Sequence, residues 1–175
     1  ASATPELPRY ILENKDPSAD ADNPGGDEFG VGVAVSGNTV VVGARSDGGG
    51  GRAFVYDLAG ATPTVPVHVL KNLDPSADAD DPTGDNFGAA VAIAGNKVAI
   101  GAYTDGANGT DSGRVYVYDL AGVSPTVPLH VVKNLDPSAD ADGPANDWFG
   151  AALAMSGNLL VVGAHADSGG NLIYS

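Results

Sequence analysis

The pattern Asp16-Pro17-Ser18-Ala19-Asp20-Ala21-Asp22, continued by Asp27 and the step Phe29-Gly30, occurs three times and returns as Asp74 to Gly88 and Asp136 to Gly150. Phe29, Phe87 and Phe149 stand 58 residues (29 to 87) and 62 residues (87 to 149) apart, and Gly43, Gly101 and Gly163 keep both offsets. A period of this length marks an array of repeated supersecondary units. The difference of four residues falls where 47–51 is matched by 105–113, so a loop absorbs it and the flanking pattern is intact. A catalytic site is normally built once. Three copies therefore point to architecture, or to a ligand bound three times, such as a metal ion.

Within each repeat the apolar residues fall into short runs. Phe29 to Val35 and Thr39 to Ala44 flank Ser36-Gly37-Asn38, which reads as a tight hairpin, and their nearly continuous apolar character predicts strands buried on both faces. A third strand, Arg52 to Leu58, alternates more clearly, and a fourth runs from Thr64 to Leu70. The second repeat follows the same plan as Phe87 to Ile93, Lys97 to Ala102, Arg114 to Leu120 and Val127 to Val132; the third gives Phe149 to Met155, Leu159 to Ala164 and a short segment from Asn171. Prolines 63, 66, 125 and 128 lie in or before the fourth strand and place it at a sheet edge, because proline removes a ladder donor. Residues 7–13, behind Pro5, align with that edge strand. No helical periodicity occurs.

The expected fold is all-β. Four antiparallel strands per repeat, ordered from inner to outer, make a β-propeller blade, and the chain carries about three. The array spans 1–175, with repeats at approximately 16–73, 74–135 and 136–175 and the outer strand at 7–13. Closed propellers start at about four blades. The expectation is therefore part of a longer protein, a six-bladed ring of two chains, or a fibre in which the unpaired outer strand of one chain completes the last blade of another.

Charge is unevenly distributed. Lys and Arg number 8 against 22 Asp and Glu, a net charge of −14, and the three acidic loops hold five, five and four of those acids. Such a field repels nucleic acid and anionic membrane surfaces. No apolar run is long enough for a membrane span, and the absence of cysteine removes disulfide and thiolate chemistry. The start Ala1-Ser2-Ala3 suits a processed mature form or a trimmed chain.

Phe29-Gly30 with Val42-Gly43-Ala44, Phe87-Gly88 with Ile100-Gly101-Ala102, and Phe149-Gly150 with Val162-Gly163-Ala164 resemble the FG-GAP family of propeller repeats, found in integrin α-subunit heads and in secreted bacterial proteins. The resemblance covers nearly the whole chain. It implies a propeller fold and an extracellular or cell-surface location, with adhesion to a protein or glycan partner. The family's calcium loop lies between the Phe-Gly and Gly-Ala strands, and here that place holds Ser36-Gly37-Asn38, Ala94-Gly95-Asn96 and Ser156-Gly157-Asn158, which have no carboxylate. The family site does not carry over by position.

The carboxylates lie instead in the loop before Phe-Gly. Asp16, Asp20, Asp22 and Asp27 share one spacing with Asp74, Asp78, Asp80 and Asp85 and with Asp136, Asp140, Asp142 and Asp147. Clustered carboxylates repel unless a cation neutralises them, and Ca²⁺ takes six to eight oxygens from flexible loops. With no His or Cys nearby, zinc is disfavoured. Up to three Ca²⁺ sites are expected on this reading; turn formation through Asp-Pro chemistry and a soluble charged surface is the alternative. Asp47, Asp105 and Asp167, just after the Gly-Ala strand, are expected to form separate turns or else to cap the same loops. His68 and His130 are repeat equivalents and read as structural, Ser36 and Ser156 are hairpin residues, and His165 has no evident partner. Asn108-Gly109-Thr110 fits a glycosylation acceptor, and Trp148 stands where its counterpart is Asn86. No cluster of polar residues is confined to one repeat, as catalysis requires. The function expected is a non-enzymatic, extracellular, calcium-stabilised structural or adhesion module, or alternatively a self-assembling subunit.

Overall fold

A computed structural model of the protein describes residues 9–14, 26–73, 84–106, 110–135, 146–167 and 172–174. The Gly-Asn pairs close hairpins as expected: Gly37, Gly95 and Gly157 take φ of 57° to 58°, while the asparagines that follow stay out of the left-handed region. Glycine at the first central position is the signature of a type II′ turn, whose twist matches that of the strands it joins. The first sheet contains β1 (Phe29–Ser36), β2 (Thr39–Ala44), β3 (Arg52–Asp57) and β4 (His68–Lys71) in that order. The second contains β5 (Ala90–Ala94), β6 (Lys97–Ala102), β7 (Arg114–Asp119) and β8 (His130–Lys133), and the third β9 (Phe149–Ser156), β10 (Leu159–Ala164) and β11 (Leu172–Tyr174). Every neighbouring pair is antiparallel, with Val42 opposite Phe54 and Ile100 opposite Tyr116. The chain is all-β, and each sheet is a propeller blade.

The fourth strands begin later than the sequence predicts. Val65 N–H donates to the Thr62 carbonyl in a turn, Pro66 has no donor, and the first bond to the neighbouring strand comes from Val67 N–H to the Val55 carbonyl at 2.7 Å. In the second blade Leu129 N–H repeats it to Val117. The inner strand β5 also starts late, because Phe87 and Gly88 occupy a turn. Residues 9–14 carry no strand, contrary to the expectation for 7–13; residues 7 and 8 lie outside the described residues.

Blades stack face on face and the core lies between them. One face of the second blade, with Phe87, Val91, Ile93, Val98, Ile100 and Tyr118, packs on Val41, Ala53 and Val55 of the first. The second then meets the third through Ala99, Val115 and Val117 against Phe149, Leu160 and Val162. Leu12 rests with Val42, Phe54 and Tyr56 on the outer face of the first blade. The Phe rings anchor this stack: Phe87 lies 5.4 Å from the Tyr116 ring and 6.4 Å from that of Tyr118, both edge-on. Beside each anchor the backbones nearly touch. A Cβ on Gly43 would stand 1.9 Å from the Gly88 carbonyl oxygen, and one on Gly101 2.0 Å from that of Gly150, so only glycine fits. The expectation that both hairpin strands are buried on both faces holds for β2, β5 and β6 but not for β1, β9 and β10, whose residues alternate toward the outside.

Candidate metal centre at the base of the acidic loops

An asparagine follows each of β4 and β8 and another ends the segment 9–14, and each acidic loop that comes next ends in an aspartate. Asn14 Nδ2 donates to Asp27 Oδ2 at 2.7 Å, Asn72 to Asp85 at 2.5 Å and Asn134 to Asp147 at 2.6 Å. The loop therefore leaves and returns through one hydrogen-bonded point. Asp27, Asp85 and Asp147 are buried, and the carboxylate makes each bond charge-assisted.

A second carboxylate reaches the same place from the end of the Gly-Ala strand. Asn14 Nδ2 also donates to Asp47 at 3.0 Å, and Asp47 pairs with Arg52 Nη1 at 2.7 Å. In the second blade Arg114 Nε lies 3.3 Å from Asp105, which also accepts a 2.6 Å hydrogen bond from the Tyr116 hydroxyl. Asp47 and Asp105 are 1% exposed and Arg114 is fully buried, so these are ion pairs inside the blade, made by aspartates that also stand in turns as the sequence predicts: their carbonyls accept from Gly51 and Gly113 N–H. The buried hydroxyl of Tyr116 is raised well above the ordinary tyrosine range by burial first and by the Asp105 carboxylate second. Backbone bonds complete the junction: Gly84 N–H donates to the Gly49 carbonyl, Phe87 to Gly50, Asn146 to Thr110 and Phe149 to Ser112.

Of the twelve predicted ligands, Asp27, Asp85 and Asp147 are brought to the loop bases, where each accepts from an asparagine. Asp16, Asp20, Asp22, Asp74, Asp78, Asp80, Asp136, Asp140 and Asp142 lie outside the described residues. Among the described residues no three of Asp, Glu, His or Cys gather closely enough to hold an ion. The donors at the loop base are oxygens, and the buried Oδ1 atoms of Asn14 and Asn72 have no hydrogen-bond partner among the described residues. Carboxylate and amide oxygens are donors of the kind that suits a hard cation.

The sequence reading passed over Asn14, Asn72 and Asn134, although they keep the offsets of 58 and 62. It also left His165 without a partner. In the structure the Trp148 ring lies 5.0 Å from His165 and 5.9 Å from Tyr103, while Arg45 donates to the Tyr103 hydroxyl at 3.4 Å and pairs with Glu28. Arg45, Tyr103 and His165 are repeat equivalents, so one row crosses all three blades where their sequences diverge. Ser36 Oγ accepts from Gly95 N–H at 3.0 Å, a contact between blades.

A family comparison agrees with this architecture. The family model described as FG-GAP repeat matches residues 19–56, 77–118 and 139–173, together more than half of the chain. No curated protein matches. The crystal structure of the computationally designed Ika4 protein aligns with 83% of this chain and 89% of its own, at 15% identity and a TM-score of 0.37.

Proposed function

Because the chain belongs to the FG-GAP repeat family, we propose that it is a non-enzymatic, extracellular structural or adhesion module whose acidic loops are tied down by calcium. The observation that carries the reading is the gate at each loop base. In the first blade two buried carboxylates, Asp27 and Asp47, share one amide, Asp47 pairs with the Arg52 guanidinium, and the loop between Asn14 and Asp27 adds three further carboxylates, Asp16, Asp20 and Asp22. A divalent cation in the loop relieves that repulsion and fixes the loop against both blades it joins. The row from Arg45 to His165 is the surface this reading gives to a protein or glycan partner, since a binding face differs between otherwise equal repeats.

Calcium that binds only the folded chain stabilises it by about 2.7 kcal/mol per site at a hundredfold excess over Kd. The melting temperature is therefore expected to rise with Ca²⁺ and fall in EDTA, with Mg²⁺ a poor substitute because it demands tighter octahedral geometry. In titration calorimetry, Asp78→Asn with Asp80→Asn removes one of up to three bound ions. Identical melts with and without EDTA, and no heat of binding, overturn the calcium reading while leaving the fold untouched.

A further inference from the structure

Gly163 is a glycine with no local reason to be one. Its counterparts Gly43 and Gly101 are each crossed by the Phe-Gly step of the following blade, which leaves no room for a Cβ. At Gly163 the same Cβ would meet only Ala152, whose Cβ lies 3.2 Å away, and the backbone there is not left-handed. The group that would fill this notch is at the other end of the stack. Gly30, counterpart of Gly88 and Gly150, has open space around it, and a Cβ there would meet nothing within 4 Å.

The side chains around the two glycines tell the same story. Val33 and Val35 of β1 are 68% and 66% exposed, whereas their counterparts Val91 and Ile93 are 9% and 8% exposed between blades. On the opposite end Ala152 and Ala154 of β9 are exposed, while Ala34 and Ala92, the counterparts of Ala154, are covered by the next blade. Ser156 is exposed where its counterpart Ser36 accepts from the next blade's Gly95 N–H. The two free faces are thus the two halves of an interface that the chain already builds twice internally.

We propose that the free face of the first blade docks on the free face of the third blade in a second copy of this chain. The Gly30 carbonyl enters the notch at Gly163, Val33 and Val35 cover Ala152 and Ala154, and Gly37 N–H donates to Ser156. Residues 9–14 are already seated for this. The Tyr56 hydroxyl donates to the Glu13 carbonyl at 3.4 Å, as the Tyr118 hydroxyl does to Lys71 of β4 at 3.2 Å, so the segment holds the place of an outer strand. β11 has β10 on one side and no strand on the other among the described residues, and it offers the edge that segment lacks. The contact is heterologous: it closes into a ring where the rotation permits and otherwise propagates as a filament. It does not rest on calcium.

The test is the particle mass of the whole 175-residue chain by light scattering after gel filtration, from low to high micromolar concentration, in Ca²⁺ and in EDTA. Particles of two or more chains are expected in at least one buffer. Gly163→Ala, whose methyl group meets only Ala152, with the Cβ at 3.2 Å, and Val35→Asp, at an exposed position, are each expected to shift them to single chains while lowering the melting temperature of the single chain far less than Gly101→Ala does. Val123→Asp, exposed elsewhere, is expected to leave the mass unchanged. A single chain at every concentration in both buffers overturns the proposal and gives the two faces to further blades of a longer chain. Assembly untouched by Gly163→Ala and Val35→Asp overturns it as well.

Discussion

Arg114 and Asp105 show how a residue's role depends on what surrounds it. From the sequence, Asp105 in Asp105-Gly106 is a turn former and Arg114 the polar start of a strand, and neither reading is wrong locally. Burial makes them an ion pair, and burial comes from the neighbouring blade, which local chemistry does not reveal. Arg114→Met is expected to cost about 3–5 kcal/mol, because it strands a buried carboxylate. Combined with Asp105→Asn the loss should be smaller than the sum of the two, and a denaturant-unfolding double-mutant cycle measures that coupling. The asparagines at the loop bases carried a legible signal, since they recur with the phenylalanines, but an amide at a strand end has many ordinary uses. Geometry distinguishes them: one Nδ2 within 2.7 Å of a buried carboxylate.

At the scale of strands and turns the sequence was most informative where backbone conformation is restrictive. The Gly-Asn hairpins, the Phe-Gly steps and the four-strand order all follow from turn chemistry and apolar runs. The outer strands were misplaced by a few residues, because Val65 and Val127 look like strand residues while their backbones make turns. The Gly-rich connection tolerates its four extra residues for a visible reason. The same backbone bond, Gly51 N–H to Asp47 and Gly113 N–H to Asp105, closes both lengths. Glycines at the blade crossings are far less tolerant. Gly101→Ala places a methyl group 2.0 Å from the Gly150 carbonyl oxygen, and overpacking of this kind costs about 1–3 kcal/mol or more. In urea unfolding it is expected to lower the midpoint well below that of Gly163→Ala, and equal midpoints would contradict the stacking described above.

For the whole molecule, the number of blades was legible in the repeat, whereas the free faces were not, since Val33 and Val91 look alike in sequence and differ only in what covers them. Stacking also sets the response to alkali. Burial pushes the Tyr56 hydroxyl up to about 12 and raises Tyr118, and Tyr116 is raised by burial and by Asp105. A raised value means that the folded chain holds the proton more tightly than the unfolded one. The contribution is therefore full below the ordinary tyrosine value near 10 and is lost as pH climbs through the folded values. Melts are expected to hold up to about pH 10 and decline above it, with tyrosinate absorbance appearing together with loss of the β signal. Tyr56→Phe and Tyr118→Phe should flatten that decline; absorbance that appears before unfolding would contradict it. The asparagine–aspartate gates have one further consequence. A segment that departs and rejoins the scaffold at a single clasp is held at its ends whatever its length. Each acidic segment is in effect an insertion point, and foreign peptides spliced between Asn72 and Gly84 would be displayed on an intact frame, at the loss of the calcium that the proposed function gives to that loop.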